Sequence, residues 1–172
     1  IYDWVEVFVA TITVIFTLFT FIARIAYVDG PSMNNTLHDK ETLIVSNLFY
    51  TPKNNDIVVF QSPDSGIKGG IVKRVIATAG QTVDIDFDTW TVTVDGVALD
   101  EPYVNFEEGF SMNQYDVKFP LTVPEGKIFV MGDNRNHSND SRGSQIGCVD
   151  TRFVFGHVLF RLTPLNKIGT IK

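Results

Sequence analysis

Residues 69–76 read Gly-Gly-Ile-Val-Lys-Arg-Val-Ile, and this apolar run with two adjacent cations predicts a β-strand. Neighbouring side chains of a strand point to opposite faces, so one of Lys73 and Arg74 must point inward. Burying an ammonium group is costly unless the group is paired or loses its proton. Burial can bring the pKa of a lysine from about 10.4 towards the physiological range, which would make it a usable general base.

Short runs rich in Val, Ile, Phe and Thr occur on both sides of this segment, separated by Gly, Pro, Asn and Asp. They predict strands at 42–46, 56–60, 71–77, 127–131 and 153–162, the last interrupted at Gly156. Residues 89–99 alternate, reach Asp95-Gly96 and continue apolar, which is typical of a β-hairpin. Residues 105–116 are predicted to form an exposed loop. The expected fold class is mainly β, with an antiparallel β-rich domain over residues 28–172.

Residues 7–23 form a run of 17 residues without charge, in which threonine is the one polar type. About 17–25 apolar residues span a bilayer as a helix. Glu6 and Arg24 bracket the run, and Trp4 and Tyr27 lie where interfacial aromatic residues often occur. A buried core helix is the alternative, and a cleavable signal peptide would have a shorter apolar core. We predict that residues 1–27 are a single transmembrane anchor.

The composition argues against several other classes of protein. The net charge is −6, whereas a nucleic-acid binder would need a basic face. The single cysteine, Cys148, cannot form an internal disulfide and is more typical of a buried apolar residue than of a nucleophile. The three histidines lack HExxH spacing, and no nucleotide-binding glycine loop is present. Asp84, Asp86 and Asp88 alternate as at the start of a calcium-binding loop, but the glycine and glutamate that such a loop needs further along are missing. These three carboxylates are therefore expected on the solvent face of a strand.

Directly after the apolar run, residues 28–37 read Val-Asp-Gly-Pro-Ser-Met-Asn-Asn-Thr-Leu. Gly-Pro-Ser alone is typical of a turn. A serine hydroxyl needs a base to become a nucleophile, so Ser32 and Lys73 together are also compatible with a Ser–Lys enzyme.

Residues 131–143 read Met-Gly-Asp-Asn-Arg-Asn-His-Ser-Asn-Asp-Ser-Arg-Gly. The segment is dense in turn formers and holds paired charges, Asp133 with Arg135 and Asp140 with Arg142. It is either a polar surface loop with solvated ion pairs or a braced loop that holds a hydroxyl against Lys73.

Taken together, these segments resemble the bacterial type I signal peptidase family. The family pattern Ser-Met-x-Pro-Thr-Leu is similar to residues 32–37, and Asp-Ile-Val-Val-Phe and Lys-Arg-Val-Ile match 56–60 and 73–76. The long C-terminal motif matches residues 132–135, 138, 140–142 and 147, and shorter pieces match 101–103 and 123–126. Two departures put local loop shapes in question: Asn35 replaces the usual proline, and residues 77–81 read Ala-Thr-Ala-Gly-Gln instead of Gly-Leu-Pro-Gly-Asp.

The resemblance implies a membrane-bound serine endopeptidase that removes signal peptides from secreted preproteins after small-x-small motifs. Ser32 would be the nucleophile, neutral Lys73 the general base, and Ser138 the group that orients the Lys73 amine. The Ser32 N–H would be one oxyanion donor. Some members add a serine hydroxyl at the position of Gly30, and backbone at Gly30 is expected to replace it here. The loop that carries Ser138 would be supported by Arg74, Asp140, Ser141 and Arg142.

By the same resemblance, a substrate peptide would lie extended along strand edges at 29–30 and 69–72. Plain core packing is the alternative for several of the candidate substrate-binding residues, which are Val28, Asp29, Met33, Leu37, Gly70, Ile71 and Val72. The expected partners are preprotein signal peptides, the lipid bilayer and the secretion translocon, without nucleic acid. The chain would cross the plasma membrane once, with its catalytic domain on the extracytoplasmic side. No metal or organic cofactor is expected.

Other functions compete with this one. A self-cleaving repressor would be soluble and carry a DNA-binding domain, and the signal peptidases of the endoplasmic reticulum use histidine as the base. A mitochondrial inner-membrane peptidase shares the Ser–Lys pair and stays open. The non-enzymatic alternative is a membrane-anchored β domain that binds an extracellular partner. Replacing Lys73 with alanine would leave such binding intact but would remove processing by a protease.

Overall fold

The structure of the protein is a computed structural model that describes residues 2–67 and 69–171. The described chain begins with helix α1, Tyr2–Ile22, and its side chains are exposed over residues 3–17. None of the described helices has both the length and the apolar character that crossing a bilayer requires. The predicted N-terminal helix is confirmed, whereas its crossing of a membrane is not. The predicted start of the anchor at residue 1 and the predicted end of the β-rich domain at residue 172 lie outside the described residues.

The rest of the described chain consists mainly of short β-strands joined by turns. In chain order they are β1 Arg24–Tyr27, β2 Thr42–Ser46, β3 Ile57–Phe60, β4 Ile71–Thr78, β5 Thr82–Asp86, β6 Thr91–Val94, β7 Val97–Ala98, β8 Leu121–Thr122, β9 Lys127–Met131, β10 Val149–Asp150 and β11 Val154–Thr163. Single 3₁₀ turns lie at Pro63–Ser65, Arg135–His137, Thr151–Phe153 and Leu165–Lys167.

Within the described ranges, these strands form two sheets. The larger sheet has the order β1-β2-β11-β3-β4-β9-β10, and the smaller one has the order β7-β6-β5-β8. Every pair of neighbouring strands is antiparallel. The predicted mainly β, antiparallel fold is therefore confirmed.

The five predicted strands agree with β2, β3, β4, β9 and β11 to within one residue at each end. The predicted hairpin is present as β6 and β7, with Asp95 and Gly96 in its turn at φ angles of 52° and 78°. The register of the pairing between β11 and β3 shifts between Val154 and Gly156, which agrees with the interruption predicted at Gly156. A Cβ at Gly156 would lie 2.5 Å from the carbonyl carbon of Ser46, so glycine lets β11 approach β2 there.

The segment 105–116 is irregular and mostly exposed, as predicted, but Met112 is an exception. Its side chain is 2% exposed and packs in the apolar cluster that contains Trp90 and Val92. An apolar residue in a long loop can attach that loop to the core, so the predicted exposure of the loop was wrong at this residue.

Strand β4 lies in the interior of the larger sheet and is buried from Ile71 to Ala77. Ile71 and Val75 pack into one apolar cluster, whereas Val72 packs into another. Lys73 and Arg74 are consequently both buried, with 3% and 0% of their surfaces exposed. The alternation of side chains required one inward-facing cation, but a strand covered on both faces buries two.

Candidate active site

The side chains of Ser32 and Lys73 are in contact, although 41 residues separate them in the chain. Lys73 lies on β4, and its Nζ donates a hydrogen bond to Ser32 Oγ over 2.7 Å. A second bond from Nζ, over 3.0 Å, reaches the carbonyl of Val72 and holds the amine back against its own strand. Ser32 lies in the turns that join β1 to β2, where its side chain stays partly accessible.

The environment of Lys73 favours the neutral amine. Burial lowers the pKa of this amine from 10.5 to about 8, since an ammonium loses its hydration there. The carboxylates of Asp140 and Asp133 oppose this shift, and the guanidinium of Arg142 adds to it. A lysine with a pKa near 8 is substantially neutral in mildly alkaline solution, so it can accept a proton from the Ser32 hydroxyl.

The segment 131–143 is a buried and braced loop, not a solvated surface loop. Asp140 and Arg142 form the predicted ion pair, with Nε and Oδ1 2.8 Å apart and both side chains fully buried. The predicted pairing of Asp133 with Arg135 is wrong. These charges are buried and find partners outside the loop, because each buried charge needs a well-aligned counterion.

Asp133 pairs with Arg74, whose Nε and Nη2 donate to its two carboxylate oxygens over 2.9 and 2.8 Å. Arg135 makes an equivalent double contact with Glu101, over 3.0 and 2.6 Å. The ring of Tyr103 covers Arg74, with its centroid 3.8 Å from the guanidinium carbon. The predicted supporting role of Arg74 therefore has a geometric basis through Asp133, and the segment 101–103 contributes to the same network.

Ser138 lies beside the site, but its hydroxyl donates to Asp140 Oδ2 over 2.7 Å. The predicted hydrogen bond between Ser138 and Lys73 is absent from the contacts of the described residues. Burial raises the pKa of the Asp140 carboxyl, but the Arg142 guanidinium and three hydrogen bonds outweigh burial and lower it overall. Asp140 is therefore an anion that accepts the Ser138 proton, and orientation of Lys73 by Ser138 stays a prediction.

Two further contacts fix this loop to its surroundings. Ser141 Oγ accepts the N–H of Val130 on β9 over 3.0 Å, and its supporting role stays a prediction. The hydroxyl of Tyr115 donates to the carbonyl of Ser138 over 2.9 Å. The hydroxyl position at Ser138 is thus set by bonds to both its side chain and its backbone.

The two predicted oxyanion donors differ in their present partners. The Ser32 N–H has no hydrogen-bond acceptor among the described residues, so it is available to a ligand. The Gly30 N–H instead donates to Asp39 Oδ1 over 2.9 Å. Gly30 has φ +89°, a conformation that favours glycine. Use of the Gly30 N–H in catalysis would first require release of Asp39, so this part of the prediction is not confirmed.

The sequence model of the family described as "Signal peptidase, peptidase S26" matches residues 1–163. The chain belongs to this signal peptidase family. "Probable signal peptidase I-1" of Synechocystis sp. is 36% identical over 160 residues, which cover 88% of this chain and 76% of that protein. "Signal peptidase I" of Bacillus licheniformis is 34% identical, with 98% of this chain and 91% of that protein covered.

The crystal structure of a signal peptidase I from Enterococcus faecalis is similar to this chain, with a TM-score of 0.52 and 34% sequence identity. The match covers 63% of this chain and 97% of the other. Family membership and this likeness agree with the mainly β architecture described above. The resemblance that the sequence motifs indicated is therefore confirmed.

In this chain, most predicted pocket side chains belong to the apolar core. Val28, Met33, Leu37 and Val72 pack into one cluster and are 4%, 1%, 0% and 8% exposed. Ile71 lies in a different cluster. These residues are core side chains, and their contact with a substrate stays a prediction.

The predicted strand edge has a clearer basis in the pairing of β4. Ile71 to Lys73 pair with β3, whereas pairing with β9 begins at Arg74. One backbone edge of residues 71–73 is therefore unpaired within the described strands. In the two predicted substrate edges, 29–30 and 69–72, Asp29 and Gly70 are exposed. A Cβ at Gly70 would lie 3.0 Å from Val59 Cγ1, so the backbone packs closely there.

Gly132 is a site residue that its residue type alone did not reveal. A Cβ at this position would lie 2.5 Å from the carbonyl oxygen of Ser32 and 2.6 Å from Ser138 Cβ. Its N–H also donates to Asp140 Oδ2 over 3.0 Å. The glycine therefore lets the segment that carries Ser32 and the loop that carries Ser138 meet. The family motif includes this position, but no local pattern indicates such an approach.

Proposed function

We propose that this protein is an endopeptidase that removes signal peptides from secreted preproteins, with Ser32 as nucleophile and Lys73 as general base. The observation that carries the proposal is the 2.7 Å contact between Lys73 Nζ and Ser32 Oγ in a buried environment. Burial lowers the pKa of Lys73 to about 8, which supports an amine able to take up the hydroxyl proton. No other described residue contributes a hydrogen bond to Ser32 Oγ.

In the first half of the reaction, Lys73 takes the proton from Ser32 as Oγ bonds to the scissile carbonyl carbon. The carbonyl oxygen becomes an oxyanion that accepts from the Ser32 N–H, which has no acceptor among the described residues. Collapse of this intermediate breaks the C–N bond, and the Lys73 ammonium gives its proton to the leaving amine. The signal peptide is then held as an ester on Ser32.

In the second half, the neutral Lys73 takes a proton from a water molecule that attacks the ester carbon. The C–O bond to Ser32 breaks, and Lys73 returns the proton to Oγ. The products are a signal peptide with a free carboxylate and the mature protein with a free amine. The same lysine acts as base and then as acid in each half, so a second titrating residue is not required.

The substrate is proposed to bind as an extended strand against the unpaired edge of residues 71–73. Backbone hydrogen bonds along such an edge provide affinity without regard to sequence, and alternate side chains enter pockets. We also propose that small residues are preferred at the first and third positions before the cut, as in the family to which the chain belongs.

The test is cleavage of a purified preprotein whose signal peptide ends in Ala-x-Ala, in detergent or lipid. We expect a single cut after the last alanine, identified by the mass of the new N-terminus, and a loss of cutting when either alanine becomes lysine. Ser32→Ala should be inactive, whereas Ser111→Ala, which alters an exposed hydroxyl bonded to Asp88, should cut normally. Equal cutting by Ser32→Ala and the unaltered protein would overturn the proposal.

We also propose that the N-terminal segment anchors the protein in the plasma membrane, with the catalytic domain on the extracytoplasmic side near the secretion translocon. The support is the uncharged run 7–23 together with exposed apolar side chains such as Trp4, Phe8 and Phe16, at 80%, 65% and 73% exposure. Exposed apolar area of this extent is unfavourable in water. Such an anchor would hold Ser32 near the point where a signal peptide leaves the bilayer.

Vesicle flotation tests this membrane proposal. The unaltered protein should float with phospholipid vesicles, and the double variant Val9→Asp and Ile12→Asp should lose much of this binding because charged groups are costly in the hydrocarbon region. Leu165→Asp is the matched control, since Leu165 is 79% exposed far along the chain in the last 3₁₀ turn, and it should float normally. An unaltered protein that stays at the bottom of the gradient would contradict the anchor.

A further inference from the structure

Asn134 binds two consecutive carbonyl groups of the segment that carries the nucleophile. Its side-chain Nδ2 donates to the carbonyl of Pro31 over 3.0 Å, and its backbone N–H donates to the carbonyl of Ser32 over 3.0 Å. The residue is 3% exposed, so both bonds are shielded from water. Bonds of this kind resist displacement, because an unmade bond would leave a buried polar group unsatisfied.

The side-chain amide of Asn134 is itself oriented by a neighbour. Its Oδ1 accepts from Asn105 Nδ2 over 3.2 Å, and the Asn105 N–H donates to the carbonyl of Asp133 over 3.0 Å. Asparagine offers one donor group and one acceptor group, and here the donor faces Pro31 while the acceptor faces Asn105. A residue with a carboxylate or an apolar side chain at this position could not satisfy both partners.

The backbone of Asn134 is held on both sides by buried ion pairs. Asp133 is paired with Arg74 and Arg135 with Glu101, and the two arginine side chains are fully buried. Asn134 therefore projects from a rigid segment. A rigid support is what allows a side chain to set the position of another group to a fraction of an ångström.

The carbonyl of Pro31 and the N–H of Ser32 belong to the same planar peptide unit. In a trans peptide these two groups point in opposite directions, so a bond that fixes the carbonyl also fixes the direction of the N–H. The bond from Asn134 also polarises the amide, which makes its N–H a better donor. The Ser32 N–H has no acceptor among the described residues and is the proposed oxyanion donor.

We propose that Asn134 is a positioning residue that directs the Ser32 N–H at the reacting carbonyl oxygen. This inference rests on the proposed function of Ser32 and names a group that acts through the peptide bond, without touching the substrate. Asn105 assists by holding the Asn134 amide in its orientation. The base is a separate element, since Lys73 is bonded to Ser32 Oγ and Val72 and not to Asn134.

The first experiment compares Asn134→Ala with the unaltered protein on an Ala-x-Ala preprotein. We expect kcat to fall on the order of 10²-fold, the usual cost of an oxyanion donor, with little change in KM. The rise of activity with pH should keep its midpoint, because the contacts of Lys73 are unaltered. Asn139→Ala, an exposed asparagine of the same loop, is the matched control and should retain full activity.

The second measurement separates positioning from simple loss of structure. A peptide aldehyde ending in Ala-x-Ala adds the Ser32 hydroxyl across its C=O bond and forms a hemiacetal whose oxygen needs the same donor. Its inhibition constant should rise in Asn134→Ala by about the factor lost in kcat/KM. Binding of an uncleaved substrate peptide, measured on Ser32→Ala with and without Asn134→Ala, should be unchanged. A structural defect would weaken both kinds of binding.

Asn105→Ala provides a second variant if Asn134→Ala folds poorly, because it removes the orienting bond and keeps the bond to Pro31. A smaller loss in kcat, with the same selective weakening of the aldehyde, is expected. Full kcat in both folded variants would overturn the inference and leave the proposed function intact. Absence of cutting by the unaltered protein would overturn the proposed function itself, so the two failures are distinguishable.

Discussion

Replacing Lys73 with methionine is expected to lower kcat/KM by about 10³-fold, the usual contribution of a general base, and at the same time to stabilise the fold near neutral pH. Methionine has a similar length and no charge. The activity falls because no other described residue is bonded to Ser32 Oγ. The two effects have one cause, since the buried amine that is the proposed base is also costly to charge.

The size of the stability change follows from the shift in pKa. Burial lowers the pKa of Lys73 from 10.5 to about 8, and each unit corresponds to about 1.4 kcal/mol, so charging the buried amine costs of order 3 kcal/mol. Methionine removes this cost but loses the two hydrogen bonds of the amine, which contribute about 1 kcal/mol each. The net gain in the free energy of unfolding is expected to be about 1 kcal/mol.

The pH dependence provides a further signature. Below pH 8 both the folded and the unfolded chain carry a protonated Lys73, so the cost is present in full. Between about 8 and 10.5 the unfolded chain binds more protons than the folded chain, and the stability that Lys73 contributes rises with pH. Urea unfolding at neutral and alkaline pH measures this change. The free energy of unfolding should increase more between the two pH values in the unaltered protein than in Lys73→Met.

Activity should follow the same titration. For the unaltered protein we expect kcat/KM to rise with pH through about 8 and then to level, because the neutral amine is the proposed active form. Lys53→Met is the matched control, since Lys53 is exposed and its side chain should matter little to either activity or stability. A Lys73→Met variant with full activity, or one markedly less stable than the unaltered protein at pH 7, would contradict this account of the site.

Gly132→Ala is expected to damage the candidate active site strongly. The added methyl group would lie 2.5 Å from the Ser32 carbonyl oxygen and 2.6 Å from Ser138 Cβ, both too close for any real contact. Backbone must move to relieve the clash, because neither group is the far end of a flexible side chain. Ser32 would then be displaced from Lys73.

Both stability and rate should report this displacement. Overpacking of a buried position costs about 1–3 kcal/mol, which thermal or urea unfolding would measure. A shift of about 1 Å at the nucleophile can cost on the order of 10²-fold in rate, and we expect kcat/KM to fall by at least that factor. Active-site titration of the folded fraction would separate the two losses.

Gly143→Ala is the matched control for this clash. Gly143 lies in the same part of the chain as Gly132. A Cβ at Gly143 would meet its nearest neighbours at 3.7 Å, which is an ordinary contact distance. The Gly143→Ala variant should therefore retain its activity and much of its stability. If the two alanine variants lose activity equally, close approach at Gly132 is not the reason that a glycine is needed there.

Local sequence patterns were sufficient for most of the fold. Runs of β-branched and aromatic residues bounded by turn formers placed β2 and β9 to the residue, and Asp95-Gly96 placed the β6–β7 turn. These features depend on neighbours in the chain. The burial of Met112 was missed, because an isolated apolar residue in a polar loop has no periodicity to reveal the core that it contacts.

The charged residues show where local reasoning fails. Asp133 and Arg135 are two residues apart and looked paired, yet each binds a partner more than 30 residues away, Arg74 and Glu101. The burial of both Lys73 and Arg74 depends on segments that cover each face of β4. Electrostatic partners are chosen by proximity in space, which adjacency in the sequence does not encode.

The sequence by itself determined a mainly β chain behind an apolar helix, and it named Ser32 and Lys73 as the pair to examine, because strand periodicity and motif order are written in neighbouring residues. The tertiary structure alone decided that their side chains meet at 2.7 Å, that Gly132 must lack a side chain and that Asn134 is bonded to the segment that carries Ser32. Each of these depends on segments that are dozens of residues apart, and their separation is set by the packing of the whole sheet.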